Sequence, residues 1–165
     1  MPPFAVWQRP PPKEGSASGE VESQGRHDDG LTRNRLDQLF QHCADLGVMV
    51  EWADLGGRRH GHYRWRDDAI VLDLRLTAAQ ATACLAHELG HQRFGDTCST
   101  PANERRAWQY GAALTITPRE YEQAEERVGH HLGALAIELC VTPRLVEAWR
   151  DWWRIRGRQA ARRDA

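Results

Sequence analysis

The sequence has a single lysine, Lys13, among its 22 basic residues, and 23 acidic residues leave a net charge of −1. That balance excludes a strong overall attraction to nucleic acid or to an anionic membrane surface. Cysteine is scarce, and Cys43, Cys84, Cys98 and Cys140 show no C-x-x-C spacing. A cysteine-based zinc site is therefore not expected, and free thiols without a secretory context point to a reducing cytoplasm. Long apolar runs are missing as well. The N-terminus carries none beyond Phe4–Trp7, so neither a secretory signal nor a membrane span is expected. What remains is 165 residues, 41% of them hydrophobic, enough for one soluble domain with a packed core.

The most informative stretch is His87-Glu88-Leu89-Gly90-His91. On a helix turning about 100° per residue, His91 lies about 40° around from His87, and Glu88 about 60° beyond His91. Two imidazoles and a carboxylate then face one volume. Zinc takes nitrogen donors in this arrangement, and a glutamate beside it can act as general base on a zinc-activated water.

The rest of the chain is organised around that helix. Residues 1–30 are rich in Pro, Gly, Ser and charge, with Pro10-Pro11-Pro12 at their centre, and read as a disordered lead-in. From Leu31 to about Gly47, Leu36, Leu39, Phe40 and Cys43 make one helical stripe. The period then falls to two. Val48, Val50 and Trp52 alternate, Gly56-Gly57 marks a turn, and Tyr63 and Trp65 alternate before Asp67-Asp68. Ala69 to Leu74 is more continuously apolar. The pattern predicts a small, mainly antiparallel sheet of three strands. Thr77 is placed to cap the next helix, which runs to about Phe94. On it Ala78, Thr82, Leu85 and Leu89 lie opposite the histidines and suit packing on the sheet. Ala79, Ala83, Ala86 and Gly90 form a second stripe of small residues only. A mid-helix glycine costs about 1 kcal/mol against alanine, so a close-packing reason is expected. Pro101 opens another helix through about Leu114, where Glu104, Ala107, Gly111 and Thr115 share a similarly small face. Packing of the two small faces would carry Glu104 to the histidines.

A hydrolytic zinc site takes three protein ligands and leaves a position for water. After His91 the candidates are Asp96, Cys98 and Glu104. Phe94 and Thr97 stand where the metzincin pattern needs Gly and His, which excludes that class. Asp96 follows soon after the helix end, and Cys98 would make a less usual hydrolase. Glu104 sits on its own helix at a distance that allows an antiparallel return, and it is the preferred third ligand.

His87-Glu88-Leu89-Gly90-His91, followed by Glu104-Arg105-Arg106-Ala107 and continuing to Tyr110-Gly111-Ala112, resembles the ImmA/IrrE family of metallopeptidases, gluzincin-like proteases with a downstream Glu in E-x-x-A. The order of helix, three strands, metal helix and Glu helix is also similar, over about residues 31–155. The resemblance implies zinc on His87, His91 and Glu104, with Glu88 as catalytic base. It implies cleavage or inactivation of a transcriptional regulator, often a phage or mobile-element repressor, in the bacterial cytoplasm. The family usually has Asn or Asp directly after the E-x-x-A alanine, where this chain has Trp108. An indole N–H only donates, so the acceptor behind a ligand histidine must be a backbone carbonyl, a water or another carboxylate such as Asp96.

A second donor for the oxyanion would come from among Tyr63, His60, His62, Tyr110, His130 and His131, none preferred. An extended substrate could add to the edge of the small sheet. In the C-terminal third, Thr117-Pro118 starts a helix to about Arg127. Gly133–Cys140 and Val141–Trp153 then read as helix, turn, helix, with Thr142 as cap and Ala136, Leu139, Val141, Leu145, Val146 and Trp149 as core. This resembles a helix-turn-helix. A hairpin packed on the catalytic half is preferred over DNA contact, because Glu147 and Asp151 sit on the helix that would read DNA. Trp149, Trp152 and Trp153 read as core or contact patch, and Arg154, Arg156, Arg158, Arg162 and Arg163 as a solvated basic end.

The expected architecture is α+β: a disordered segment at 1–30, a zincin-like catalytic core at 31–116, and a helical, helix-turn-helix-like subdomain with a basic tail at 117–165. The expected function is a zinc endopeptidase acting on a regulator protein. The alternative is a non-proteolytic regulatory module that binds protein or DNA, with a structural or vestigial metal site.

Overall fold

A computed structural model describes residues 25–163. In chain order it contains α1 (Gly25–Leu46), β1 (Met49–Ala53), β2 (Gly61–Arg64), β3 (Ala69–Asp73), α2 (Ala78–Phe94), α3 (Pro101–Thr115), α4 (Pro118–Val128), α5 (Leu132–Glu138) and α6 (Pro143–Arg163). The architecture is α+β and mostly helical. The first helix starts at Gly25, earlier than the Leu31 expected from the apolar stripe. Residues 1–24, with the proline run of the expected disordered lead-in, lie outside the described residues, as do the side chains of Arg158, Arg162 and Arg163 in the tail. Among the described residues, no helix is long and apolar enough to cross a membrane.

The sheet corrects one expectation. Its strand order is β1-β3-β2, with β1 parallel to β3 and β2 antiparallel to it. It is a mixed sheet rather than a mainly antiparallel one. The reason lies in β3, every residue of which is buried. A strand apolar on both faces belongs at the centre, paired along both edges. Gly56 and Gly57 both adopt φ of +70°, but they do not close a hairpin between β1 and β2. Their loop crosses the end of β3 instead. Leu74 donates to the Ala53 carbonyl at 3.0 Å on one side, and Asp73 donates to the His60 carbonyl at 2.8 Å on the other.

A buried carboxylate ties this crossing down. Asp73, 1% exposed, accepts from the Leu55 N–H at 2.9 Å and the Arg75 N–H at 2.8 Å. The Arg75 N–H, the Leu55 N–H and the Arg75 guanidinium hold its carboxyl below the usual range, against the opposing effect of burial. A depressed pKa stabilises the fold above the unfolded value of about 3.9, and that contribution is lost as pH falls through the folded value. Asp73→Asn should therefore lower Tm at pH 7, with the gap to wild type narrowing at pH 3. Equal Tm values at pH 7 by circular dichroism would show that the loop does not depend on this anchor.

Two apolar clusters meet along α2 and α3. In the first, Leu39 and Cys43 of α1 pack with Ile70 and Leu72 of β3 and with Leu85 and Leu89 of α2. In the second, Ala112 and Ile116 pack with Leu135, Leu139, Val141, Leu145, Val146 and Trp149. The six residues expected to form the core of the C-terminal hairpin are all buried there. The Trp149 indole donates to the Ile116 carbonyl at 2.8 Å, tying α6 to the end of α3. Thr77 caps α2 in a reciprocal box with Gln80, and Gly95 ends the helix in the left-handed region. Thr142 does not cap α6 as expected. Its hydroxyl is shielded without a partner, and the Leu145 N–H that it would accept from bonds to the Thr142 carbonyl at 3.0 Å instead.

Candidate metal centre

The two small-residue faces pack together at backbone contact. A Cβ on Gly90 would lie 2.5 Å from the Ala107 carbonyl oxygen, and one on Gly111 would lie 2.5 Å from that of Ala86. Glycine is required at both positions because only hydrogen fits between the helices. That approach brings the first turn of α3 alongside the histidine turn of α2.

Glu104 arrives where the spacing placed it. Its Oε2 lies 3.2 Å from His87 Nε2, and its Oε1 lies 3.4 Å from His91 Nε2. The two Nε2 atoms are 3.1 Å apart. Donors bound at about 2.0–2.1 Å in a tetrahedron stand about 3.3–3.4 Å from one another, and each of these separations is of that size, the two histidines meeting different oxygens of the Glu104 carboxylate. The three residues form a group that could hold a metal ion. Their chemistry points the same way. His91 Nδ1 lies 3.0 Å from Asp96 Oδ2, and a proton on that nitrogen leaves Nε2 with its lone pair directed at the cluster. Carboxylate oxygens likewise only accept. Acceptors converging on one point need a cation, or a proton, between them.

The supports of the three side chains differ. Asp96, itself held by the Arg106 guanidinium, orients His91. It therefore stands behind His91, outside the group of three that could hold a metal ion. Ser99 Oγ donates to Glu104 Oε1 at 2.6 Å. Cys98, the remaining candidate ligand, is exposed, and its carbonyl accepts from the Asn103 side chain at 3.0 Å. No acceptor stands behind His87: its Nδ1 is shielded without a hydrogen-bond partner. The Trp108 indole lies over its ring instead, with centroids 4.3 Å apart and planes at 29°. A shielded ring nitrogen without a hydrogen-bond partner costs about 1–3 kcal/mol, and the stack does not supply that bond. Burial is the main cause holding His87 below the ordinary imidazole pKa, with the neighbouring His91 adding to it and Glu104 opposing. The ring is thus kept neutral, as a metal ligand must be.

Glu88, 7% exposed, stands beside the pair. Its Oε2 accepts from the Tyr63 N–H at 2.9 Å. Burial raises its carboxyl above the usual range, against the opposing pull of His91 and that N–H. The contact depends on how closely β2 approaches α2. A Cβ on Gly61 would fall 2.6 Å from both Cys84 Sγ and the Val71 carbonyl oxygen.

Of the six side chains considered as oxyanion donors, three have partners of their own. The Tyr63 hydroxyl is bonded to Asp68 at 2.8 Å, and His130 Nδ1 is paired with Glu125 at 2.7 Å. Tyr110 packs edge-on against Phe94. His60 and His131 are exposed, and the shielded Nδ1 of His62 has no partner. What sequence reasoning missed are contacts of other kinds: the backbone N–H of Tyr63 on Glu88, Ser99 on Glu104, the Trp108 stack, and Arg144, whose guanidinium lies 5.3 Å from the Trp108 ring centroid. The only advance signal for them was that Trp108 cannot accept a hydrogen bond. No known family model matches the chain, and no curated protein matches it.

Proposed function

We propose that the protein is a zinc-dependent endopeptidase of the ImmA/IrrE kind, which cleaves or inactivates a transcriptional regulator. The observation that carries the reading is the convergence of His87, His91 and Glu104 from two helices, with Glu88 one residue from the first ligand. Zinc held by these donors would supply a Lewis acid for a substrate carbonyl and would lower the pKa of a water, so that it could become a nucleophile near neutral pH. Glu88 is the group that accepts the proton of the attacking water and returns it to the leaving amine. Its Oε2 is pinned by the Tyr63 N–H, which leaves Oε1 for that exchange.

The sheet supplies a place for an extended chain. β2 is the edge strand beside Glu88. The hydrogen bond from Asp73 to His60 sets the ladder phase, so His62 and Arg64 bond to β3 while Gly61 and Tyr63 turn their backbone groups outward. With the Tyr63 N–H taken by Glu88, the outward groups left for a peptide are the Tyr63 carbonyl and both groups of Gly61. Recognition through backbone would not require a deep side-chain pocket.

The test is elemental analysis and proteolysis of wild type and Glu88→Gln, using casein and a purified helix-turn-helix repressor as substrates. Wild type should carry about one zinc and cleave. The variant should keep the metal and lose about 10²–10⁴ in rate. Wild type without zinc after purification in zinc-supplemented buffer would defeat the reading. Unaltered cleavage by the variant would remove Glu88 from its role. The second reading, a regulatory module with a vestigial metal site, draws on the missing acceptor behind His87. It predicts bound metal with no cleavage in either protein.

A further inference from the structure

We propose that Trp108 is the positioning residue for metal ligand His87 and that Arg144, in the first turn of α6, holds Trp108 in place, so that metal affinity is set partly from the C-terminal helices. The inference rests on the metal-binding part of the function proposed above.

Three observations lead to it. First, the two histidines are oriented by unlike means. His91 is fixed by Asp96 and Arg106, whereas the shielded Nδ1 of His87 has no partner. Second, the His87 ring meets the edge of His91 on one side, at a centroid distance of 4.6 Å, and the face of Trp108 at a centroid distance of 4.3 Å and an interplanar angle of 29°. A parallel face fixes the plane of the imidazole and hence the line along which Nε2 points. It does not fix the tautomer, which only a hydrogen bond can do. Third, Trp108 is held from beyond the site. It packs on the core shared by α3 to α6, and the Arg144 guanidinium lies 5.3 Å from its ring centroid, a cation–π distance. Arg144, Trp108 and His87 thus form a connected run from α6 through α3 to α2.

This arrangement has a chemical consequence. An acceptor behind a ligand histidine raises its basicity and pre-orients it, and losing such support typically costs about 10–100-fold in metal affinity. A stacked ring supplies the orientation without the basicity. His87 is therefore the weaker of the two nitrogen ligands, and its contribution depends on the indole staying where α6 holds it.

The experiment measures Co²⁺ and Zn²⁺ affinity against a chromophoric chelator at fixed pH, with the Co²⁺ d–d spectrum and the metal-free melting temperature recorded for each protein. Trp108→Leu should bind about 10-fold more weakly or worse, with an altered d–d spectrum. Trp108→Phe, which restores an aromatic face, should return to within about 3-fold of wild type. Arg144→Met keeps an apolar stem but no charge. Losing a positive charge near His87 by itself favours a bound cation, so affinity is compared at high salt, where that effect is screened. It should then fall about 3-fold with the metal-free Tm unchanged. A merely structural tryptophan would shift the metal-free Tm while leaving affinity and spectrum alone. Wild-type affinity and spectrum in Trp108→Leu would overturn the inference. Should that variant fail to fold, unchanged affinity in Arg144→Met, a side chain 57% exposed, overturns it instead. Wild type that binds neither metal defeats the function proposed above together with this inference. Wild type that binds, with variants that bind equally, defeats this inference alone.

Discussion

Gly90→Ala and Gly111→Ala are each expected to destabilise the protein, although alanine is the better helix former. The two effects have opposite signs, and magnitude decides between them. Replacing mid-helix glycine by alanine gains about 1 kcal/mol of propensity. Against it stands a Cβ placed 2.5 Å from the Ala107 carbonyl oxygen in one case and 2.5 Å from that of Ala86 in the other. These obstacles are backbone atoms, so no rotamer change relieves them. Reaching ordinary contact requires the helices to separate by about 1 Å, which puts the cost at or beyond the upper end of the 1–3 kcal/mol typical of overpacking. A net loss of about 2 kcal/mol should lower Tm by about 4–8 °C in a chain of this size. Separation also opens the 3.2 and 3.4 Å gaps between Glu104 and the histidines, so metal affinity should fall in the same variants. Gly133→Ala is the control. Its Cβ would meet only the His131 ring, at 3.4 Å, and stability should be unchanged or slightly raised. Gly90→Ala as stable as wild type would show that the helices are not held together at this point.

That prediction shows which features the sequence could disclose. The histidine pair and Glu88 were legible because a helix fixes their relations within one turn, whatever the rest of the chain does. The approach of α3 was legible because small residues recur at helical spacing on both partners. Glu104 followed from the two together. The order β1-β3-β2 was not legible. Strand pairing is decided by contacts between distant segments, and a Gly-Gly pair reads as a hairpin turn whether or not its loop crosses another strand. The apolar continuity from Ala69 to Leu74 marks a strand buried on both faces, but it does not say between which neighbours. The support of His87 was hidden for a related reason. Trp108 could be seen to lack an acceptor, but its stacking on a ring in another helix depends on the axial register of α2 and α3. Arg144 is further removed still, since its place over Trp108 requires α6 to be folded back by the α4–α5 connection.

Saturating zinc should raise Tm markedly, and Glu104→Gln should abolish the rise. A ligand bound only by the folded state stabilises it by about 4 kcal/mol at 1,000 times Kd, which corresponds to about 8–16 °C in a chain of this size. The donors lie on α2 and α3, so the cation joins the same two helices that meet at Gly90 and Gly111, and its binding energy acts on the fold rather than on a surface loop. The chain also has 8 histidines and 4 cysteines. In the unfolded state these bind zinc competitively, so the shift belongs at the lower end of that range. Glu104→Gln leaves two imidazoles and a weak amide oxygen. Losing a ligand outright should cost more than the roughly 10–100-fold measured for lost ligand supports, and the thermal shift should shrink to the background of nonspecific binding. Glu88→Gln should retain most of the shift, because Glu88 is not one of the three donors that gather to hold the metal. Calorimetric melts with zinc, and again after EDTA, separate these cases. A wild-type Tm indifferent to both would mean that the three donors gather without a metal, and that a proton shared among His87, His91 and Glu104 is enough to hold them.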